Sequence, residues 1–314
     1  MILKAMAKMI LQEHAYRPIT GKVLCLGPQE ICMSPDEVDE FLKDVPNLQP
    51  RSESKVEPAM HPGYYRADYF FSRFTTEDLE SLDVDETPSA TFVHDLNNPI
   101  PDHLCNQYDF IVDGGTFDHL FNLGIALDNV TKMLKPGGRV FQYNAASNYL
   151  GKAYVMFGPN LFYDYYTLNG FRDCKVYIAR ETLREANAPW EVFYLPNGHT
   201  KGLNCEKRKM VIVIAEKGHE GQGGALPVQG PYRLGDLVDE FDGFEKITQE
   251  SERPILWGTI DPDIKITGNV KAVKHAQKLA EDGGFSFKKL FRKKTAKDVN
   301  RSIKVKPDMY VGNF

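Results

Sequence analysis

The sequence predicts a doubly wound α/β domain whose sheet is mostly parallel with an antiparallel edge. Three observations predict it. Short apolar, strand-like runs alternate with helix-like segments from Lys22 to Ala215. Successive strand-like runs end on a glycine or an acid, as at Gly27, Asp83, Asp95 and Asp113. The 314 residues, 42% of them hydrophobic, suffice for a large core.

Met1 to Ile10 is apolar but interrupted by lysines and lacks a cleavage-like site, so it reads as an amphipathic helix and not a signal peptide. After the turn Arg17–Gly21, Lys22–Leu26 is a short strand ending at Gly27-Pro28-Gln29. Ser34-Pro-Asp-Glu37 is a helix start with an N-cap, a proline in the first turn and a capping-box glutamate, and Val38, Phe41 and Leu42 form its apolar stripe. Pro46–Pro62 has no period and reads as a long loop, part of an insertion over about residues 46–78. It ends in the aromatic run Tyr64–Phe71, expected to pack as a helix on the sheet, with a pocket lid as the secondary idea.

Glu80–Val84 and Ala90–His94 are two further strands, followed by Tyr108–Asp113. Gly114-Gly115 then permits a sharp turn, and Thr116 is expected to cap a helix with His119 in its first turn. Leu123–Leu134 has helical apolar spacing, broken by Lys135-Pro-Gly-Gly138. Arg139–Tyr143 is a fifth strand with Asn144 at its end, and Leu161–Tyr166 is an aromatic helix stopping at Asn169-Gly170. Cys174–Ile178, Trp190–Tyr194 and Lys209–Ala215 are strands, the last two expected to pair antiparallel near the sheet edge.

The expected domain organisation is therefore one domain over 1–217, a glycine-rich linker over 218–230 and a C-terminal extension over 231–314. In the extension, Leu234–Phe244 and Val270–Leu279 are short helix candidates. A basic tail carries Lys288, Lys289, Arg292, Lys293, Lys294 and Lys297. A solvated helical face is the favoured reading of that tail, with contact to an anionic surface as the functional one; with Phe285, Phe287 and Phe291 it has an apolar side as well.

A net charge of −5 and a pI near 5.9 argue against a surface built throughout for nucleic acid. Five cysteines without C-x-x-C spacing suggest neither a disulfide framework nor a zinc cluster, and a reducing, cytoplasmic setting is expected. No uncharged apolar run reaches the roughly 20 residues that span a bilayer. The sequence leaves the oligomeric state open.

The glycine fingerprint G-x-G-x-x-G is absent after the first strand, and no G-x-x-x-x-G-K-[ST] loop occurs, so a nucleoside without a pyrophosphate fits better than a dinucleotide. The ordered set Val23-Leu-Cys-Leu-Gly-Pro-Gln29, Ser81-Leu-Asp-Val84, His94-Asp-Leu-Asn97, Tyr108–Asp113 and Leu134-Lys-Pro-Gly-Gly-Arg139 resembles the class I S-adenosylmethionine-dependent methyltransferases, over about Ile10 to Lys217. It looks closest to a bacterial small-molecule or glycan-type subgroup, through Gly115-Thr-Phe-Asp-His-Leu-Phe-Asn122.

The resemblance implies a Rossmann-like methyltransferase sheet with S-adenosyl-L-methionine as cofactor. It implies that the Gly27-Pro28-Gln29 loop lies beside the methionine moiety and that Asp83, followed by Val84, holds the ribose hydroxyls. Asp95 would accept from the adenine amino group, Leu96 would offer a backbone amide to the ring, and Asp113 with Gly114 would border the sulfonium. The first loop departs from the pattern in having one glycine and no acid. Lys152 also departs, standing where the subgroup has a histidine.

A base is needed only where the acceptor must lose a proton, and His119 is the first candidate because imidazole suits proton removal near neutral pH. Lys152 and Tyr154 are weaker candidates for the acceptor side. Each has an ordinary reading too: strand-end aspartates commonly cap turns, and loop Tyr and Lys are commonly polar surface. No metal site is expected, since His61 and His94 have no partner at ligand spacing.

The expectation is a methyltransferase acting on an oxygen, or next a nitrogen, of a small-molecule or glycan-type acceptor. A catalytically silent member that binds the cofactor or a partner is the first rival. A nicotinamide-dependent oxidoreductase is the second.

Overall fold

Helix α1 (Lys4–Tyr16) opens the chain, burying Met6, Met9 and Ile10 against the sheet. The structure is a computed structural model, described here for residues 1–45, 48–87, 89–181, 190–195, 208–229 and 258–260. Strand β1 (Val23–Leu26) follows, then the short β2 (Glu30–Ile31) and α2 (Pro35–Leu42). α2 begins as expected: Glu37 N donates to Ser34 Oγ at 3.3 Å and Ser34 N donates to the Glu37 carboxylate at 2.8 Å.

Within the insertion, β3 (Tyr65–Arg66) pairs antiparallel with β2, and α3 (Asp68–Phe71) buries Tyr69, Phe70 and Phe71. The aromatic run therefore belongs to the core beneath the sheet and is not a lid.

Next come β4 (Glu80–Asp83), β5 (Phe92–Val93) and β6 (Tyr108–Asp113). Helix α4 (Leu123–Met133) leads into β7 (Leu134–Ser147), and α5 (Pro159–Leu168) into β8 (Phe171–Glu181). Strands β9 (Trp190–Tyr194), β10 (Lys209–Lys217) and β11 (Gly258–Ile260) complete the described elements.

Nine of these strands form one sheet in the order β11-β9-β8-β10-β7-β6-β1-β4-β5. From β5 through β7 neighbouring strands are parallel. β10 runs antiparallel between β7 and β8, and β9 is antiparallel to β8 and β11. This is the doubly wound class expected, with one correction: β9 and β10 do not pair, because β10 inserts between β7 and β8. Its run Met210–Ala215 is buried throughout, as an interior strand requires.

Both faces are covered. Along β1, Val23 and Cys25 point into the core shared with α1, α2 and α3, while Leu24 and Leu26 point into the core shared with α4 and α5. Phe110 and Val112 of β6 join the first core and Ile111 the second, the period-two alternation of a sheet buried on each side.

The turn after β6 also differs from expectation. Thr116 caps no helix, because its hydroxyl donates across the sheet edge to Leu26 O at 2.6 Å. Residues Phe117–His119 form a 3₁₀ turn, and Asn122 supplies the cap of α4 by accepting from Ile125 N.

The described part of the expected linker lies on the domain. Asn169 Nδ2 donates to Ala225 O and Ala225 N donates back to Asn169 Oδ1, both at 2.9 Å. The extension also contributes β11 to the sheet, and the first of two compact units runs Met1–Gly268, past the boundary expected after Lys217. The helix candidates at 234–244 and 270–279 and the basic tail lie outside the described residues.

Candidate active site

The strand register places most of the sequence-predicted residues along one edge. Leu26, the last residue of β1, is flanked by Leu82 of β4 and Asp113 of β6. Asp83 in turn faces Val93 of β5. Hence Asp95–Leu96, Asp83–Val84, Gly27–Gln29 and Gly114 follow the carboxyl ends of four adjacent parallel strands. They span three strand spacings, roughly 14 Å. Carboxyl ends of parallel strands are where doubly wound sheets bind ligands.

At the outer end, Asp95 is half-buried and held by its own loop: Oδ1 accepts from Asn97 N and Nδ2, and Oδ2 accepts from Asn98 Nδ2 at 3.2 Å. Leu96 is buried, its carbonyl accepts from Asn129 Nδ2, and its N–H has no hydrogen-bond partner among the described residues. One strand inward, Asp83 Oδ1 accepts from Val84 N at 2.7 Å, whereas Oδ2 has no partner among the described residues. Val84 and Val93 leave apolar surface in water at 58% and 52% exposure.

The middle of the edge is narrow. Gly27 has φ +72° and donates to Leu82 O; a Cβ there would meet Thr116 Oγ1 at 3.3 Å. Gln29 is buried, donates to Leu26 O at 3.1 Å and Gly27 O at 3.3 Å, and accepts from the Met1 ammonium. Its Oε1 fills the space beside Gly114, where a Cβ would come within 2.3 Å of it.

Asp113 is fully buried, and its carboxylate is saturated. Oδ1 accepts from Gly115 N and Thr116 N, and Oδ2 from Gln142 Nε2 at 3.2 Å and Asn144 Nδ2 at 2.7 Å. Burial pushes its carboxyl pKa up, against the lowering effect of those donors. Its described contacts tie the turn after β6 to β7, while the space beside Gly114 is taken by the Gln29 side chain.

The acceptor-side candidates come together through backbone bonds. Tyr154 N and Val155 N both donate to Asp118 O at 2.9 Å, which fastens the loop after β7 to the turn after β6. His119, Lys152 and Tyr154 are all exposed on these two segments.

Asp118 is the residue that sequence reasoning passed over in favour of its neighbour His119. It is buried, Oδ1 accepts from Ala145 N at 2.7 Å, and burial, aided by the nearby Asp113 charge, pushes its pKa up to about 7. Asn97 was also missed as a connector; its Oδ1 accepts from Phe121 N and Asn122 N. The signal for Gln142 and Asn144 was their two-residue spacing on a strand parallel to the one ending at Asp113. A separate cleft of about 240 Å³, lined by Gln49, Lys55, Asp68 and Thr75 among others, lies at the amino ends of the strands, where Thr75 Oγ1 donates to Gly21 O.

No family model matches the sequence, and no curated protein matches it. Among solved structures, the chain is similar to the CMeT domain of the citrinin polyketide synthase, with 12% identity over 68% of this chain and 52% of that one at a TM-score of 0.38. A SAM-dependent methyltransferase from Archaeoglobus fulgidus matches at 14% identity over 68% of this chain and 94% of that one, with a TM-score of 0.37. Haemonchus contortus phosphoethanolamine N-methyltransferase 2, in complex with phosphomonomethylethanolamine and S-adenosylhomocysteine, matches at 10% identity over 68% and 52%, with a TM-score of 0.38. The chain thus spans about half the length of the first and third of these proteins. The fold is defined by the strand order β11-β9-β8-β10-β7-β6-β1-β4-β5.

Proposed function

We propose that the protein is a cytoplasmic S-adenosyl-L-methionine-dependent methyltransferase acting on an oxygen, or next a nitrogen, of a small-molecule or glycan-type acceptor. The observation that carries the reading is the alignment, on consecutive parallel strands, of a carboxylate oxygen (Asp83 Oδ2) and a backbone amide (Leu96) that have no partner among the described residues, and a glycine turn (Gly27).

Those residues fit the cofactor's nucleoside half. Asp83 Oδ2 is available to ribose hydroxyls, the Leu96 N–H to a ring nitrogen, Val84 and Val93 to the ring faces, and Asp95 accepts from the exocyclic amine once Asn98 yields. Gly27 and Gly114 let the backbone approach the methionine half closely, and Gln29, with Pro28 before it, offers an amide there in place of the usual acid. When bound, the cofactor supplies an electrophilic methyl group on a sulfonium. The chain's task is to align an acceptor with it and exclude water. For a hydroxyl acceptor, His119 takes the proton, and Lys152 and Tyr154 orient the acceptor from the neighbouring loop.

Calorimetric titration with S-adenosylhomocysteine and, separately, a nicotinamide dinucleotide tests the reading. Binding of the first alone supports it, and tight binding of the second alone overturns it in favour of an oxidoreductase. A catalytically silent member is the second reading, favoured by Gln29 occupying the methionine end. Cofactor binding without turnover in a broad acceptor screen would select it.

A further inference from the structure

Two large aromatic side chains stand in water on the acceptor side. Phe121 is 78% exposed and Tyr154 66% exposed. Their ring centroids are 6.1 Å apart and their planes inclined by 32°. Both are rooted by backbone hydrogen bonds to residues of the candidate site: Phe121 N donates to Asn97 Oδ1 and Tyr154 N to Asp118 O, each at 2.9 Å. Asn97 belongs to the tip that carries Asp95, and Asp118 precedes His119. The pair is thereby continuous with the ligand edge at both of its roots.

We infer that Phe121 and Tyr154 form a stacking platform for the methyl acceptor, and that the acceptor presents a flat conjugated ring bearing the accepting heteroatom. The inference rests on the methyltransferase reading. Aromatic rings associate best in offset or edge-to-face arrangements at roughly 4.5–7 Å between centroids. Phe121 and Tyr154 are within that range of each other and both stand exposed, so both are available to a third flat ring. A protein partner needs on the order of 1,000 Å² of interface, far more than two rings offer. A bilayer or acyl chain would also engage Leu150 and Met156 of the same loop, 86% and 39% exposed. It would, however, press hydrocarbon against the exposed His119 and Lys152, whereas a ring with polar substituents leaves them hydrated or hydrogen-bonded.

The test is a titration of the full chain, with and without S-adenosylhomocysteine, using catechol and the equally sized, non-aromatic cyclohexane-1,2-diol, followed by ligand-observed NMR. Catechol is expected to bind roughly fivefold more tightly than the diol. The preference should vanish in Phe121→Leu, which keeps apolar bulk without a ring, and persist in Tyr154→Phe. No catechol binding, equal affinity for the two probes, or an undiminished preference in Phe121→Leu overturns the platform. Sedimentation with phosphatidylcholine vesicles that is abolished by Leu150→Asp, together with absence of the catechol preference, overturns it in favour of a membrane face. The two readings fail separately: an intact catechol preference without any S-adenosylhomocysteine binding overturns the methyltransferase reading and leaves the platform standing.

Discussion

Asp118 illustrates how burial raises the pKa of a carboxyl in the turn after β6. Its folded pKa of about 7 exceeds the ordinary carboxylate value of 3.8, so between those two pH values the folded chain holds a proton that the unfolded chain has released. That contribution to stability is full at acidic pH below the unfolded value. It is lost as pH rises toward 7, at up to about 1.4 kcal/mol per pH unit. Asp118→Asn can still accept from Ala145 N and has nothing to ionise. Denaturant titrations should therefore show the variant gaining stability relative to the parent as pH rises from about 4 to about 7, and parallel pH curves would refute the assignment. Asp83 makes the complementary prediction for binding: Asp83→Ala should weaken S-adenosylhomocysteine by about 1–3 kcal/mol in calorimetry, and unchanged affinity would remove the ribose role.

At the scale of elements, the edge depends on turns whose backbone only certain residues tolerate. Gly27 combines φ +72° with close approach to Thr116 Oγ1, so Gly27→Ala should cost about 1–2 kcal/mol in denaturant unfolding. A stability equal to the parent's would show that the turn relaxes freely.

The same elements show what could be read from the chain. Alternating apolar runs and the Ser34–Glu37 cap located β1, α2, β6 and α4 because their signals are local. The partner of Thr116 lies 90 positions away at Leu26, so its hydroxyl read as a helix cap when it is a cross-strand tie. The strand pairing of β10 was likewise hidden: its continuous apolar run Met210–Ala215 marks a strand covered on both faces, but its neighbours, β7 and β8, are set by contacts distant in sequence. For the site, the acids at strand ends were legible. Which of them are already saturated was not, because the donors to Asp113 come from Gln142 and Asn144 on another strand.

Across the whole molecule, the described residues just past Lys217 are bound to the sheet domain. Gly218 N donates to Gly170 O at 3.0 Å, and Ala225 is held by Asn169 on both its N–H and its carbonyl. Truncation after Lys217 should therefore lower the thermal midpoint relative to truncation after Gly268. Identical midpoints would restore the boundary at 217. The central claim, that consecutive strand ends hold a nucleoside cofactor, is tested most directly by a crystal structure of the chain grown with S-adenosylhomocysteine. Ribose hydroxyls are expected on Asp83 and an adenine ring nitrogen on the Leu96 N–H, with Gln29 displaced from the space beside Gly114. A ligand bound away from β1, β4 and β5, with Asp83 Oδ2 still free, would contradict it.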